Sequence, residues 1–470
     1  MICIPIVSLG NKALKDIKLA LRLADIIELR LDLIKPSEEL LEKLIKLTKK
    51  PIIVTNRKKG EGGNAIENKA RIGLLKKAIE LKADYIDIEL SSGEGTIKDL
   101  IRNKKKTKVI ISYHNFKQTP KNLEAIYKKI KSHKPDIIKI VTHANSINDN
   151  IKILNLIKKA KKQNKKIIAL CMGGKGEISR ILSPLIGAQL TFASLNKERE
   201  SAPGQLTAEA LIKTYNICKL KSPKIYGLVG NPVSHSKGII VHNKNFGKLK
   251  QNKIYVNFLV SNIKEFIKNY REIISGLSIT IPHKKTIMPY LNKIEPTAKK
   301  IGAVNTVIKK NNKLIGYNTD YVGAIKAIKE KTAIKNKNVL IIGAGGVSKA
   351  IAYGVKKERG QIIITNRTVS KATALAKQIS CKSININQIK NLKGIDILIN
   401  ATSIGMKSKK APITKQILKK ITVSSSVVFD SVYTPPITQL LKDAKSLKLK
   451  TISGEKMFTY QAQEQFKLFN

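Results

Sequence analysis

"KVIISYHNFKQTPKNLEAIYKKIKSHKPDIIKIV", residues 108–141, sets two β-rich apolar runs around a helical one. "KVIISYH" and "DIIKIV" have the short continuous apolar character of buried strands. Between them, "NLEAIYKKIKSHK" spaces its apolar residues along one helical face. Strand, helix, strand is the repeating unit of a parallel sheet. The same alternation extends outward from it to about residue 195. "CIPIV", "IIELRLD", "PIIVTNR" and "DYIDIEL" precede it, and "KIIALCM" and "QLTFAS" follow. Eight such strands alternating with Lys-rich amphipathic helices predict an α/β fold, a closed (β/α)8 barrel.

In that fold the C-terminal ends of the strands carry the chemistry. Reading those ends gives Glu28, Arg30, Asp32, Arg57, Glu89, His114, Lys139 and Met172. Lys139 stands out, because Ile137, Ile138, Ile140 and Val141 surround it and a buried ammonium is costly. A desolvated lysine amine attacks a ketone to form an imine, which acidifies the neighbouring carbon. His114, ending the preceding strand, titrates near neutral pH and suits the base that takes the proton. Glu61, in "TNRKKGEGG", is a carboxylate that could orient it. Lysine and histidine in one barrel mouth read as imine chemistry, which an aldolase and a dehydratase share.

The chain of 470 residues has 89 Lys+Arg against 33 Asp+Glu and a net charge of +56. The lysines are spread along the whole length, so compositional drift accounts for them better than a nucleic-acid or membrane surface. No apolar stretch reaches the roughly 18 residues of a membrane span. The opening "MICIPIVSLG" reads as a first strand, leaving no room for a signal or transit peptide. The four cysteines, Cys3, Cys171, Cys218 and Cys381, have no metal or redox spacing. The expectation is a cytoplasmic protein with reduced thiols, no metal and small-molecule partners rather than nucleic acid or membrane. Oligomeric state is left open.

The ordered motifs "ELRLD" (28–32), "RKKGEGG" (57–63), "SYHNFKQTP" (112–120), "IIKIV" (137–141), "ISR" (178–180) and "SAPGQ" (201–205) resemble those of type I 3-dehydroquinate dehydratase. By that resemblance Lys139 forms the imine with 3-dehydroquinate, His114 acts as base and then acid, and Glu61 orients it. Arg180 holds the substrate carboxylate, where a planar guanidinium fits well. Glu28, Arg30, Arg57, Ser201 and Gln205 hold the hydroxyls and the closing loop. Asn115 departs from the aspartate frequent in the family and receives no catalytic duty. The resemblance implies a dehydratase domain over 1–218.

A helical stretch ends before Pro223 and a new strand begins at Lys224, which places a linker near 219–223. Further on, "NKNVLIIGAGGVSKAIAYGV" reads as strand, Gly-rich turn and helix. Gly343, Gly345 and Gly346 would let backbone approach a pyrophosphate at the helix N-terminus. The next strand, "GQIIITNRT", ends without the acid that binds the ribose hydroxyls in NAD sites. It offers Asn366, Arg367 and Thr368, with Lys371 one turn later, and this cationic end favours NADP. "GNPVSHSK" (230–237) carries Ser234 and Ser236, two apart and so on one side if extended. "GLSITIPHKK", "GAVNT" and "GYNTD" deliver Thr280, Lys284, Asn305 and Asp320. Singly these are also turn formers and caps, and Asp320 suits an N-cap for "YVGAIKAIK".

Together with "NATSIGM" (400–406) and "MFTYQA" (457–462), this second set resembles shikimate dehydrogenase. The departures are Ser278 in "SITIP" and the run "KGIIVHN", neither of which removes a polar ligand. By resemblance Lys284 and Asp320 are the catalytic pair. Ser234, Ser236, Thr280, Asn305 and Gln461 hold the substrate, and Tyr433 lines the same cleft. Gly343, Ala344, Gly345, Gly346, Val347, Asn366, Arg367, Thr368, Lys371 and Gly454 hold NADP. The expected architecture is a barrel over 1–218, then a substrate lobe over 224–330 completed by a helix at 455–470. A Rossmann NADP lobe occupies 331–454. The product of the first activity, 3-dehydroshikimate, is the ketone substrate of the second, so the chain reads as two consecutive shikimate-pathway steps. Competing readings are a basic nucleic-acid binder, a fusion with one inactive half, and a quinate-preferring dehydrogenase.

Overall fold

A computed structural model describes residues 1–65, 68–234, 236–406 and 408–470. Its first eight strands are β1 (Ile2–Ile6), β2 (Ile26–Arg30), β3 (Ile52–Thr55), β4 (Tyr85–Glu89), β5 (Lys108–Asn115), β6 (Ile137–His143), β7 (Ile167–Met172) and β8 (Thr191–Phe192). They form one sheet in the order β7-β6-β5-β4-β3-β2-β1-β8, with parallel pairing throughout. The eighth strand is shorter than "QLTFAS" promised, with two residues paired to β1. The Gln189 N–H donates to the Ile167 carbonyl at 2.8 Å, bringing the chain round towards β7. The barrel is therefore nearly closed.

Alternation of side chains along each strand decides what fills it. Ile26, Ile53, Ile110, Ile137, Val141, Ile168 and Leu170 meet in one buried cluster with Cys3 and Phe192. Lys139 lies between Ile137 and Val141 at spacing two, so it must share their inward face. The sequence reading put Lys139 at a strand end. It is instead the third residue of the seven in β6, well inside the barrel.

By contact density the described residues form two compact units, Met1–Ile225 with Asn243–Ile273, and Tyr226–His242 with Ile274–Asn470. The first thus also holds β10 (Lys253–Leu259) and the helix Ile263–Tyr270. Here Phe266 stacks on Tyr270, Phe258 meets both rings edge-on, and the Tyr270 hydroxyl donates to Ile147 O at 2.5 Å. β9 (Lys224–Gly230) carries the chain from one unit into the other.

In the second unit β11 (Ile274–Ile279) pairs antiparallel with β13 (Thr306–Lys310), and β13 with β14 (Lys313–Tyr317). β12 (Lys293–Ile294) runs parallel to β14. A second sheet follows, with β15 (Asn338–Ile342), β16 (Gln361–Thr365), β17 (Lys382–Ile384), β18 (Ile395–Asn400), β19 (Thr422–Asp430) and β20 (Lys450–Ile452). Its order is β17-β16-β15-β18-β19-β20 and every pairing is parallel. Val339, Ile341, Ile397 and Ile399 join one core, while Leu340, Ile342 and Leu398 join another. Both faces are covered, as a doubly wound sheet requires. The order reverses at β15, which opens a crevice at its C-terminal end.

Candidate active sites

Register explains how the first site assembles. Arg30 pairs with Thr55, and Thr55 with Asp87. One level away Glu89 pairs with Ser112, and Ser112 with Lys139. Polar and charged groups from five neighbouring strands, β2 to β6, thus stand at adjacent levels inside the barrel. The Lys139 ammonium lies 2.7 Å from Asp87 Oδ2 and 3.5 Å from Glu28 Oε1. It also sits 4.3 Å from the centre of the Phe192 ring. Arg57 donates to both Asp87 oxygens, to Glu89 Oε1 at 3.1 Å and to Ser112 Oγ at 2.7 Å. Glu89 is held from its other side by Arg71 at 2.5 Å. Burial alone would raise the Asp87 carboxyl, but Arg57 and Lys139 outweigh it and hold it well below the usual carboxylate range. Asp87 is therefore a permanent counter-ion.

His114 lies near the end of β5, and its ring Nδ1 is 3.3 Å from Glu61 Oε2. The same oxygen accepts from the His114 backbone N–H at 3.2 Å, while Ser91 donates to the other at 2.6 Å. Burial first, then the cations Arg57 and Lys139, push the imidazole well below its ordinary pKa. The ring is neutral at neutral pH and can accept a proton. Burial also raises the Glu61 carboxyl.

Arg180 differs from Arg30, Arg57 and Arg71, each of which is paired with a carboxylate, in having no such partner among the described residues. It is 1% exposed, it donates to Pro203 O at 3.2 Å, and its Nε has no hydrogen-bond partner. Burial pulls its pKa down to about 10, so it remains a cation at neutral pH. Ser201 N and Oγ both donate to Gln205 Oε1, which leaves the buried Gln205 Nε2 without a partner. All nine residues assigned to this site on sequence line one pocket, among them Arg180, Ser201 and Gln205 from the far end of the first unit.

In the second unit Lys284 and Asp320 form an ion pair at 2.5 Å. The Asn305 amide nitrogen donates to the other Asp320 oxygen at 2.9 Å, to Thr319 Oγ1 at 3.0 Å and to Gln461 Oε1 at 3.3 Å. Asp320 is not the N-cap that its sequence position suggested. Thr319 occupies that place, and Asp320 is the first residue of the helix Asp320–Lys329. Its carboxylate is thereby free to meet Lys284. Gln461 reaches Asn305 because the helix Gly454–Phe469 runs hard against Gly323. A Cβ there would lie 2.7 Å from Met457 O and 2.9 Å from Gln461 N. Thr280 is half-buried, its N–H bonded to Val229 O. Ser236 is hydrogen-bonded to Tyr433, whose ring stacks on Phe458. Ser234 does not share that environment, being exposed on a turn, and His235 of the same motif lies outside the described residues.

The Gly-rich turn follows β15 at the crevice. Gly343 has φ +124°, and a Cβ on it would come within 2.9 Å of Ala401 O, so only glycine fits. A Cβ on Gly345 would meet nothing within 4 Å, which leaves open space beside the N-terminus of the helix Gly346–Lys357. No side chain caps that helix, so its first N–H groups can receive a phosphate. Gly346 faces Lys284, whose Cδ would be 3.3 Å from an added Cβ, so the turn borders the ion pair. At the end of β16, Arg367, Thr368 and Lys371 are exposed, and Asn366 donates to Thr368 O. Ala344 and Val347 pack against the core. Gly454 is buried against Ser431 O. These residues fit a dinucleotide with an extra phosphate.

Residues 2–222 match the type I 3-dehydroquinase family. Residues 228–307 match the shikimate dehydrogenase substrate binding domain, and 326–453 match shikimate/quinate 5-dehydrogenase. A chloroplastic bifunctional 3-dehydroquinate dehydratase/shikimate dehydrogenase of Arabidopsis thaliana is 39% identical across 100% of this chain and 82% of its own. The chain belongs to the bifunctional 3-dehydroquinate dehydratase/shikimate dehydrogenase family. A shikimate biosynthesis protein of Chlamydia pneumoniae is 36% identical over 83% of this chain and 80% of its own. An NADP(+) shikimate dehydrogenase of Pyrococcus abyssi is 42% identical over 52% of this chain and 92% of its own. Among the described residues no helix is long and apolar enough to cross a membrane.

For a dehydratase/dehydrogenase chain, the sequence reading missed several groups that complete the two sites. Asp87, the nearest partner of Lys139, was overlooked although "DYIDIEL" spaces Asp87 and Glu89 for one face of β4. Arg71, Ser112 and Phe192 had no motif to mark them. In the second unit Gln465 was missed, one helical turn beyond Gln461. Its amide accepts from Ser278 Oγ at 2.9 Å and donates to Thr306 Oγ1 at 2.9 Å and Asn305 O at 3.2 Å.

Proposed function

We propose that the first unit dehydrates 3-dehydroquinate to 3-dehydroshikimate through an imine on Lys139, and that the second reduces that ketone to shikimate with NADPH. The observation that carries this reading is the presence in one chain of two lysines, each ion-paired to an aspartate, in sites built for different chemistry. One faces a neutral imidazole in a barrel, and the other borders a dinucleotide turn.

In the first site Lys139 must shed a proton before it attacks. Asp87 cannot take it, whereas neutral His114 can. The amine then adds to the ketone carbon, His114 returns that proton to the resulting hydroxyl, and water leaves to give the protonated imine. His114 removes a proton from the adjacent carbon, and the bonding electrons pass into the imine to give an enamine. The enamine expels hydroxide from the next carbon, which takes the proton from His114 and departs as water. Water then hydrolyses the imine and restores the Lys139 amine. The Arg180 guanidinium, whose Nε has no partner, holds the substrate carboxylate. Glu28, Arg30, Arg57, Ser201 and Gln205 position the hydroxyls.

In the second site bound NADPH supplies the hydride. Lys284, held by Asp320, gives a proton to the carbonyl oxygen as it becomes a hydroxyl. Asn305 and Gln461, already joined by a hydrogen bond, hold substrate with Ser236, Thr280 and Tyr433. Arg367, Thr368 and Lys371 receive the 2′-phosphate. The activities divide as 1–218 for the dehydratase, with 224–330 and 455–470 for the substrate lobe and 331–454 for the NADP lobe. The matched family segments support that division. The four cysteines are free thiols, which suits a reducing cytosol.

Borohydride added with 3-dehydroquinate tests the imine directly. The reduced ligand's mass is expected on Lys139 and on no other lysine. Labelling elsewhere, or none, contradicts the first half of the reading.

A further inference from the structure

We propose that the Phe192 ring is a catalytic group of the dehydratase, stabilising the positive charge of the imine nitrogen. This rests on Lys139 being the imine lysine. The ring centre lies 4.3 Å from Lys139 Nζ, within the range over which an aromatic face attracts a cation. Both side chains are buried, with Lys139 4% and Phe192 6% exposed, so little water screens the attraction.

The free ammonium has three N–H donors, of which the carboxylates Asp87 and Glu28 draw on the nearest. When the amine condenses with the ketone, nitrogen forms a double bond to carbon and keeps one N–H. Two donors disappear while the positive charge remains. One carboxylate must then face a cation that no longer offers it a hydrogen. The ring needs no donor, because its quadrupole acts on the charge itself. It is thus the contact that carries over unchanged from ammonium to protonated imine. The neutral carbinolamine and the neutral enamine each pass into that cation, by water loss and by hydroxide loss, so the ring speeds these two charge-forming steps and not proton removal. β8 is two residues long, and one of the two is spent on this ring.

Near-isosteric replacement separates charge from packing. Phe192 is replaced in the full chain by mono-, di- and trifluorinated phenylalanine, which drain the ring face stepwise with little change in shape. The single-turnover dehydration rate is expected to fall with each fluorine, by about 10- to 30-fold over the series. The shikimate oxidation rate of the same samples reports that the chain is folded, and borohydride labelling reports where the imine forms. A flat rate across the series, with Lys139 still labelled, overturns the role of the ring alone. A native chain that labels at another lysine overturns the imine assignment and this proposal with it. Phe192→Leu should reproduce the trifluorinated rate, and a leucine variant as fast as the native chain also counts against the proposal.

Discussion

At the scale of single residues, His114 makes the sharpest statement about pH. Burial, then Arg57 and Lys139, hold its pKa well below the ordinary value of about 6.5. The folded ring stays neutral as pH falls through that value, so kcat/KM for dehydration should hold its plateau there and turn down only at lower pH. An acid limb centred at 6.5 or above would contradict the electrostatic account. The unfolded chain takes up that proton near 6.5 while the fold does not, so His114 also costs stability below this pH. Lys139 is legible in the sequence because a charge inside "DIIKIV" is a visible expense. Its depth is not legible, since alternation reveals which face a residue takes and not how far along the barrel it sits. Asp87 escapes for a related reason. An acid in a strand looks the same whether it pairs with a lysine beyond the next strand or points to solvent.

At the scale of elements, the turn after β15 and the start of the helix Asp320–Lys329 bring cofactor and proton donor together. Gly343→Ala would force a side chain into a φ of +124° against Ala401 O. The backbone strain alone costs on the order of 1–2 kcal/mol, and the KM for NADP should rise while dehydration is unchanged. Arg367→Ala should erode the preference for NADP over NAD by about 10- to 100-fold, the usual worth of a charge-assisted contact. Equal use of both cofactors by the native chain would remove the basis for that assignment. Lys284→Ala and Asp320→Asn should each slow shikimate oxidation by about 100-fold or more. Because they act as one unit, the double variant should lose little beyond the worse single one. Losses that multiply would make Asp320 a substrate ligand acting on its own. The Gly-rich turn and strand order are legible from residue type and spacing. The union of Asn305 with Gln461 is not, because it depends on two helices meeting at Gly323.

At the scale of the whole molecule, the barrel is legible from its repeat, and the doubly wound sheet from strand, Gly-rich turn and helix. The placement of Asn243–Ile273 with the barrel is not, since contact density across distant segments leaves no periodic trace. The two sites lie in different units and draw on different buried clusters. Lys139→Ala should therefore abolish dehydration and leave shikimate oxidation at the native rate. The central claim is that one chain performs both steps in succession. It is tested by giving the purified protein 3-dehydroquinate and NADPH and following the nicotinamide absorbance. The account predicts a fall in absorbance after a lag, with shikimate formed in equal amount. The Lys139→Ala chain should show none until 3-dehydroshikimate is added. Steady absorbance with the native chain, or NADPH consumption by the Lys139→Ala chain from 3-dehydroquinate alone, would contradict it.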